Sequence, residues 1–148
     1  MGRAFLGLGS NLGDKETYLR EAVATFTDLY AVSGLYETDP IGGVEQDSYL
    51  NIVIELSTER NSRELLEHGQ ALERKANRER KIRWGPRTLD VDVLWVENDE
   101  INDPDLTVPH PRMKERAFVM VPLGELAPEF LIDWEDPNDG EVRRVKDW

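Results

Sequence analysis

From Leu89 to Val93 the chain reads Leu-Asp-Val-Asp-Val, a period of two that only an extended strand turns into a single apolar face. Leu89, Val91 and Val93 then face a core, while Asp90 and Asp92 share the opposite face, roughly 6.5 to 7 Å apart along the strand. At an effective dielectric of about 20, two such carboxylates repel by about 2.5 kcal/mol, a penalty that a divalent cation between them removes. On its own, D-x-D reads as an amphipathic strand with one solvated face. The preceding residues, Arg83-Trp84-Gly85-Pro86-Arg87, set arginine directly before the acids, as expected of a place that holds metal and phosphate together.

The rest of the composition narrows the chemistry. At 148 residues the chain is expected to form one domain, 1–148, which at this size buries about 70% of its unfolded surface. Without cysteine, and with His68 and His110 as the only histidines, it has neither a disulfide framework nor a zinc site, so any metal should be a hard, oxygen-binding one. No apolar run approaches the roughly 20 residues of a membrane span, and Met1-Gly2-Arg3 leads straight into a strand, so the expected location is the cytoplasm. A net charge of −12 disfavours nucleic acid and anionic membrane as partners. Yet seven of the eighteen Lys and Arg lie between residues 74 and 87, against the single acid Glu79. This basic stretch feeds straight into the paired aspartates, which suits a small polyanion chelated with metal.

Hydrophobic spacing predicts the elements. Arg3 to Leu8 reads as a buried strand. A helix follows, capped by Asp14, with Leu19, Ala22, Val23, Phe26, Leu29 and Tyr30 on its apolar side. Ala31 to Tyr36 is a second strand, Glu37 to Asp47 a long loop and Tyr49 to Leu56 a third strand. Asn61 and Glu64 form a capping-box pattern before a second helix whose buried stripe includes Leu65, Gly69 and Leu72, the glycine indicating close packing. Asp90 to Val96 is the fourth strand. The order β-α-β-β-α-β predicts an α+β, ferredoxin-like sandwich with an antiparallel sheet and helices on one face, plus C-terminal additions. Among these, Phe118 to Leu126 is a helical or extended segment and His68 lies on helix surface. Gly7-Leu8-Gly9-Ser10-Asn11-Leu12-Gly13 imitates a dinucleotide fingerprint, but its spacing is wrong and no crossover helix joins the second and third strands. There is no P-loop pattern either.

The run Arg83 to Leu94 resembles the signature of the 6-hydroxymethyl-7,8-dihydropterin pyrophosphokinase family. The similarity continues through Leu8 to Asp14, Tyr36-Glu37-Thr38 with Pro40 and Gly42, Tyr49-Leu50-Asn51, and Val108-Pro109-His110-Pro111-Arg112 with Arg116 and Phe118. Pro122, Leu123, Glu125, Ala127 and Pro128 extend it, so it spans residues 4 to about 130 in the family's order. Ile132 to Trp148 has no counterpart in it.

The resemblance implies transfer of pyrophosphate from ATP to the hydroxymethyl group of 6-hydroxymethyl-7,8-dihydropterin, with release of AMP, in folate biosynthesis. It further implies a monomer that uses two Mg2+ ions held by Asp90 and Asp92. Arg78 and Arg87 match its catalytic loop arginines. Glu73, Arg83, Trp84, His110 and Arg116 match positions on the ATP side. Thr38, Ile41, Tyr49, Asn51 and Phe118 match the pterin slot, over which Trp84 would close. Residues 77 to 88 are expected to form a loop that closes when both substrates are present. The family often has glycine before its first loop arginine, where Asn77 stands here; asparagine tolerates left-handed backbone, so the turn is expected to survive, with Arg78 and Arg80 both open for that role. The rival reading is a non-catalytic nucleotide- or RNA-binding module on the same fold, which net charge and the paired aspartates disfavour.

Overall fold

A computed structural model of the chain describes residues 1–39, 48–77, 88–138 and 140–148. The elements run β1 (Gly2–Ser10), α1 (Lys15–Val23), β2 (Leu29–Val32), β3 (Leu35–Thr38), β4 (Tyr49–Thr58), α2 (Ser62–Ala76), β5 (Asp90–Val96), β6 (Ile101–Asp103), β7 (Leu106–Val108), α3 (Ala117–Leu126) and β8 (Val142–Lys146). The main sheet has the order β5-β1-β4-β3-β8, with β2 also on β4, and every pairing in it is antiparallel. Helix, sheet and their order make this an α+β fold.

The central strands are apolar on both faces because both are covered. Ala4, Leu6 and Leu8 of β1 and Ile52, Ile54 and Leu56 of β4 pack with Leu19 of α1 and Leu65 of α2. On the other face Phe5, Val53 and Leu94 meet Val119, Met120 and Leu123 of α3. The two helices expected from the pattern thus share one face, and α3 lies on the opposite one. It forms despite Pro122, which sits six residues into a helix of ten. The capping box on α2 is present, with the Glu64 amide donating to Asn61 Oδ1 at 2.9 Å and the Asn61 amide to Glu64 Oε1 at 3.1 Å. Gly69 is required where it stands: a Cβ there would lie 2.8 Å from Val91 Cγ1, so α2 rests directly on β5. Among the described residues no helix is long and apolar enough to cross a membrane.

Two expected elements need correction. The first helix stops at Val23, where the Thr25 hydroxyl donates to the Ala22 carbonyl (2.7 Å), and Leu29 and Tyr30 open β2 with 37% and 70% of their surface exposed. The second strand is two strands. Between them the Ser33 side chain substitutes for the ladder, accepting the Val53 amide (3.0 Å) and donating to the Gly34 carbonyl (2.9 Å). Ile132 to Trp148, unmatched in the sequence, contains β8, which completes the sheet beside β3.

His68 is half-buried rather than on the helix surface. Its ring stacks on Phe26 with centroids 4.0 Å apart. Arg60, itself forked onto Asp28, donates to its Nδ1 at 2.8 Å, which leaves the proton on Nε2, 2.8 Å from the Thr25 hydroxyl. Burial first, and the Arg60 charge second, hold its pKa below the ordinary 6.5, with Asp28 acting the other way. A histidine depressed in this way binds fewer protons folded than unfolded. Its contribution is therefore present above the unfolded value and is lost as pH falls below it. Denaturant titrations between pH 7 and pH 5 should show stability falling toward acid, with a shallower fall in His68→Gln.

Candidate active site

The ladders of β1 bring the predicted residues together. Gly9 lies opposite Asn51 on one side and Asp90 on the other, and Gly7 opposite Val53 and Asp92. Both glycines belong to the strand, which runs two residues beyond the predicted Leu8. Their role is space. A Cβ on Gly9 would sit 2.8 Å from Asn51 Oδ1, so the missing side chain opens a trench between the Asn51 amide and the two carboxylates. Phe118 and Val119 of α3 roof this trench, a partly open cavity of about 30 Å3.

The alternation predicted for β5 holds: Val91 and Val93 are buried, while Asp90 and Asp92 are partly exposed on the α3 face. A bulge follows. Leu6 pairs with Val93 and Phe5 with Trp95, so the bulge brings Trp95 to the α3 side beside Leu94, which alternation already places there and which has no partner on β1. The Leu94 carbonyl accepts the His110 amide at 2.8 Å, which seats the Pro109-His110-Pro111 turn beside the carboxylates. His110 Nδ1 accepts the Arg112 amide at 3.2 Å, so the neutral ring carries its proton on Nε2 and can act there as a donor. Burial holds the His110 pKa below 6.5, opposed by the nearby Asp92 and supported by Arg116 and Arg112. Arg116, the residue before α3, reaches Asp92 Oδ2 with Nη1 at 3.7 Å and lies over the Phe118 ring.

On the far wall the Asn51 Nδ2 donates to the Thr38 hydroxyl at 3.0 Å, and both side chains are buried. One N–H of the amide and its oxygen remain for a ligand edge. Tyr49 is two residues before Asn51 on the same strand and so shares its face. Glu73 stands in the last turn of α2, where its carbonyl accepts the Asn77 amide. Ile41, Arg78, Arg80, Arg83, Trp84 and Arg87, and the loop expected over 77 to 88 apart from its end residues Asn77 and Thr88, lie outside the described residues. Asn77 itself has φ −89° and ψ 6°, so the expected left-handed turn is absent.

The resemblance includes Glu125 but gives it no role. Its carboxylate accepts the Tyr36 hydroxyl (2.6 Å), the Gly34 amide (3.0 Å) and the Arg144 guanidinium (3.1 Å), tying α3 to β3 and β8. Burial, with Glu125 next, pushes the Tyr36 phenol up to about 12. Lys15 Nζ donates to the Ser48 carbonyl at 3.0 Å, just ahead of Tyr49. Neither contact has a local signal, since each partner is distant in sequence.

Asp90 and Asp92 suit Mg2+, which binds through one or two carboxylates and leaves its other positions to water and phosphate. Among the described residues no group of three or more His, Cys, Asp or Glu gathers as a fuller ligand set.

The chain is similar to known proteins in fold and in sequence. The solved structure of Plasmodium falciparum HPPK-DHPS superposes with a TM-score of 0.61 at 12% identity, over 92% of this chain and 41% of that one, a likeness of fold. The 2-amino-4-hydroxy-6-hydroxymethyldihydropteridine pyrophosphokinase of Bacillus subtilis is 48% identical over 128 residues, 83% of this chain and 77% of that protein. The protein of the same name from Methylorubrum extorquens is 43% identical over 140 residues, 91% and 89% of the two chains. Since residues 5–128 match the model of the 7,8-dihydro-6-hydroxymethylpterin-pyrophosphokinase family, the chain belongs to that family.

Proposed function

We propose that the trench flanking Gly9 is where this chain transfers pyrophosphate from ATP to the hydroxymethyl group of 6-hydroxymethyl-7,8-dihydropterin, releasing AMP in folate biosynthesis. The single observation that carries the placement is the register that sets Asn51, Gly9 and Asp90 side by side on three adjacent strands. A polar edge for the heterocycle and a carboxylate pair for the metal are then separated by one glycine. Family membership sets aside the rival reading as a non-catalytic binding module.

In this reading Asp90 and Asp92 hold two Mg2+ ions, which would neutralise phosphate charge as it shifts toward the leaving nucleotide. The chain's own groups do the positioning. Arg116 is the cation beside Asp92, and the neutral His110 ring nearby carries a donor at Nε2. Both act on developing oxygen charge in a partly desolvated site, where such dipoles are worth most. Thr38 and Asn51 orient the pterin edge, with Tyr49 and Phe118 as its aromatic neighbours; Arg78, Arg83, Trp84, Arg87, Glu73 and Ile41 keep the roles the resemblance implies. The strand order supports a ferredoxin-like core with C-terminal additions in one domain. A monomer is supported by the edge strand β8, whose Arg143, Arg144 and Lys146 disfavour pairing with another chain. The cysteine-free composition supports a cytoplasmic location.

Incubation with ATP, Mg2+ and the pterin should yield AMP and pterin diphosphate in equal amounts, with little turnover when the pterin is omitted. Accumulation of ADP on nucleotide chromatography would overturn the assignment. Asp90→Asn and Asp92→Asn should each lower kcat on the order of 100-fold or more while the thermal midpoint holds or rises, because a repelling charge has gone. Asn51→Ala should weaken pterin binding by about 1 to 3 kcal/mol and leave MgATP affinity nearly unchanged, as calorimetry with each ligand would show. An equal loss for both ligands would make Asn51 a strand-holding residue instead.

A further inference from the structure

Asn77 ends α2, and the reaction described above makes no use of it. Its backbone is ordinary, so conformational tolerance is not what the residue supplies. Its side chain makes two hydrogen bonds to successive peptides on the far side of the basic segment. Oδ1 accepts the Thr88 amide at 2.9 Å, eleven positions away, and Nδ2 donates to the Leu89 carbonyl at 3.0 Å, twelve positions away. One amide thus imitates the donor and acceptor of a neighbouring strand. Thr88 and Leu89 are buried, with 4% and 2% of their surface exposed, and they immediately precede Asp90. On the helix side the Asn77 amide donates to the Glu73 carbonyl, and Gly69 presses α2 onto Val91. The helix α2 is therefore fixed at two points, by Asn77 to the residues just before β5 and by Gly69 to Val91, one on each side of the carboxylate that opens the strand.

We propose that Asn77 is a positioning residue for the diphosphoryl transfer. Its amide holds the peptides ahead of Asp90 in place, and it joins the two ends of the segment that carries Arg78 and Arg87. Only an amide makes both bonds: alanine makes neither, and an aspartate keeps the bond from Thr88 but turns a second oxygen toward the Leu89 carbonyl. Asn77 touches no reacting atom. Its effect should fall on turnover rather than on pterin binding, because Thr38 and Asn51 stand on β3 and β4, away from the pin. The inference rests on the function proposed above.

The test compares wild type, Asn77→Ala and Asn77→Asp by steady-state AMP formation, thermal midpoint and hydrogen exchange at the Thr88 amide. The expected result is kcat lowered about tenfold in Asn77→Ala and by a smaller factor in Asn77→Asp. The KM for pterin should stay within about twofold, and Thr88 exchange should be at least about tenfold faster in the alanine variant but nearly unchanged in the aspartate one. The proposal is overturned if kcat in both variants matches wild type, or if its fall only tracks the loss of folded protein at the assay temperature. Should Asn77→Ala fail to fold, Asn77→Asp is judged by the same criteria. Inactive wild-type protein would instead overturn the functional reading, with Thr88 exchange still reporting on the pin.

Discussion

The double pairing of β1 is the constraint on which the site depends. This strand bonds to β4 along its whole length and to β5 along most of it, and both ladders pass through Gly7 and Gly9. Side chains alternate faces, so a slip of one residue on either ladder would turn a carboxylate or the amide away from the trench. Register here is held by burial on both faces: Leu6 and Leu8 on one, Phe5 on the other, all nearly inaccessible. The site therefore inherits its precision from the most buried part of the molecule.

Charge is arranged against this frame. The chain is strongly acidic as a whole, yet the trench places Asp90 and Asp92 together with Arg116 and, by sequence, just after the most basic stretch. A carboxylate pair on a negative protein repels itself and suits a hard cation; in the proposed reaction the arginines would answer the anion that arrives with it. The Leu94 carbonyl adds His110 to this group by accepting its backbone amide, a contact that leaves no trace in residue type.

Features whose cause is local could be read from the sequence. The alternation in β5, the capping box of α2 and the glycine at its contact with β5 each follow from residues a few positions apart, and each stands where expected. The division between β2 and β3 could not be read, because Ser33 replaces a ladder bond by reaching β4 twenty positions on. Leu29 and Tyr30 fitted a helical stripe, yet strand pairing with β4 claimed Leu29, which tertiary contact can do against local preference. His68 looked solvated because neither Phe26 nor Arg60 announces that it will stack on or bond to it. Asn77 was read for its backbone, whereas its side chain is what reaches Thr88 and Leu89. The carboxylate pair, the amide and the roof residue of the site were legible, but only the family pattern joined them.

The Glu125 carboxylate has a mechanical meaning. It binds a backbone amide and a phenol of the sheet and a guanidinium of the edge strand, all from the helix that also carries Phe118. Roof and floor of the trench are thereby tied at one end by polar bonds of fixed length, where apolar surfaces alone would let the helix slide. The gap between them is set in part from Glu125, which does not itself line the trench. In the reaction proposed for this trench, that spacing would meet the flat face of the pterin.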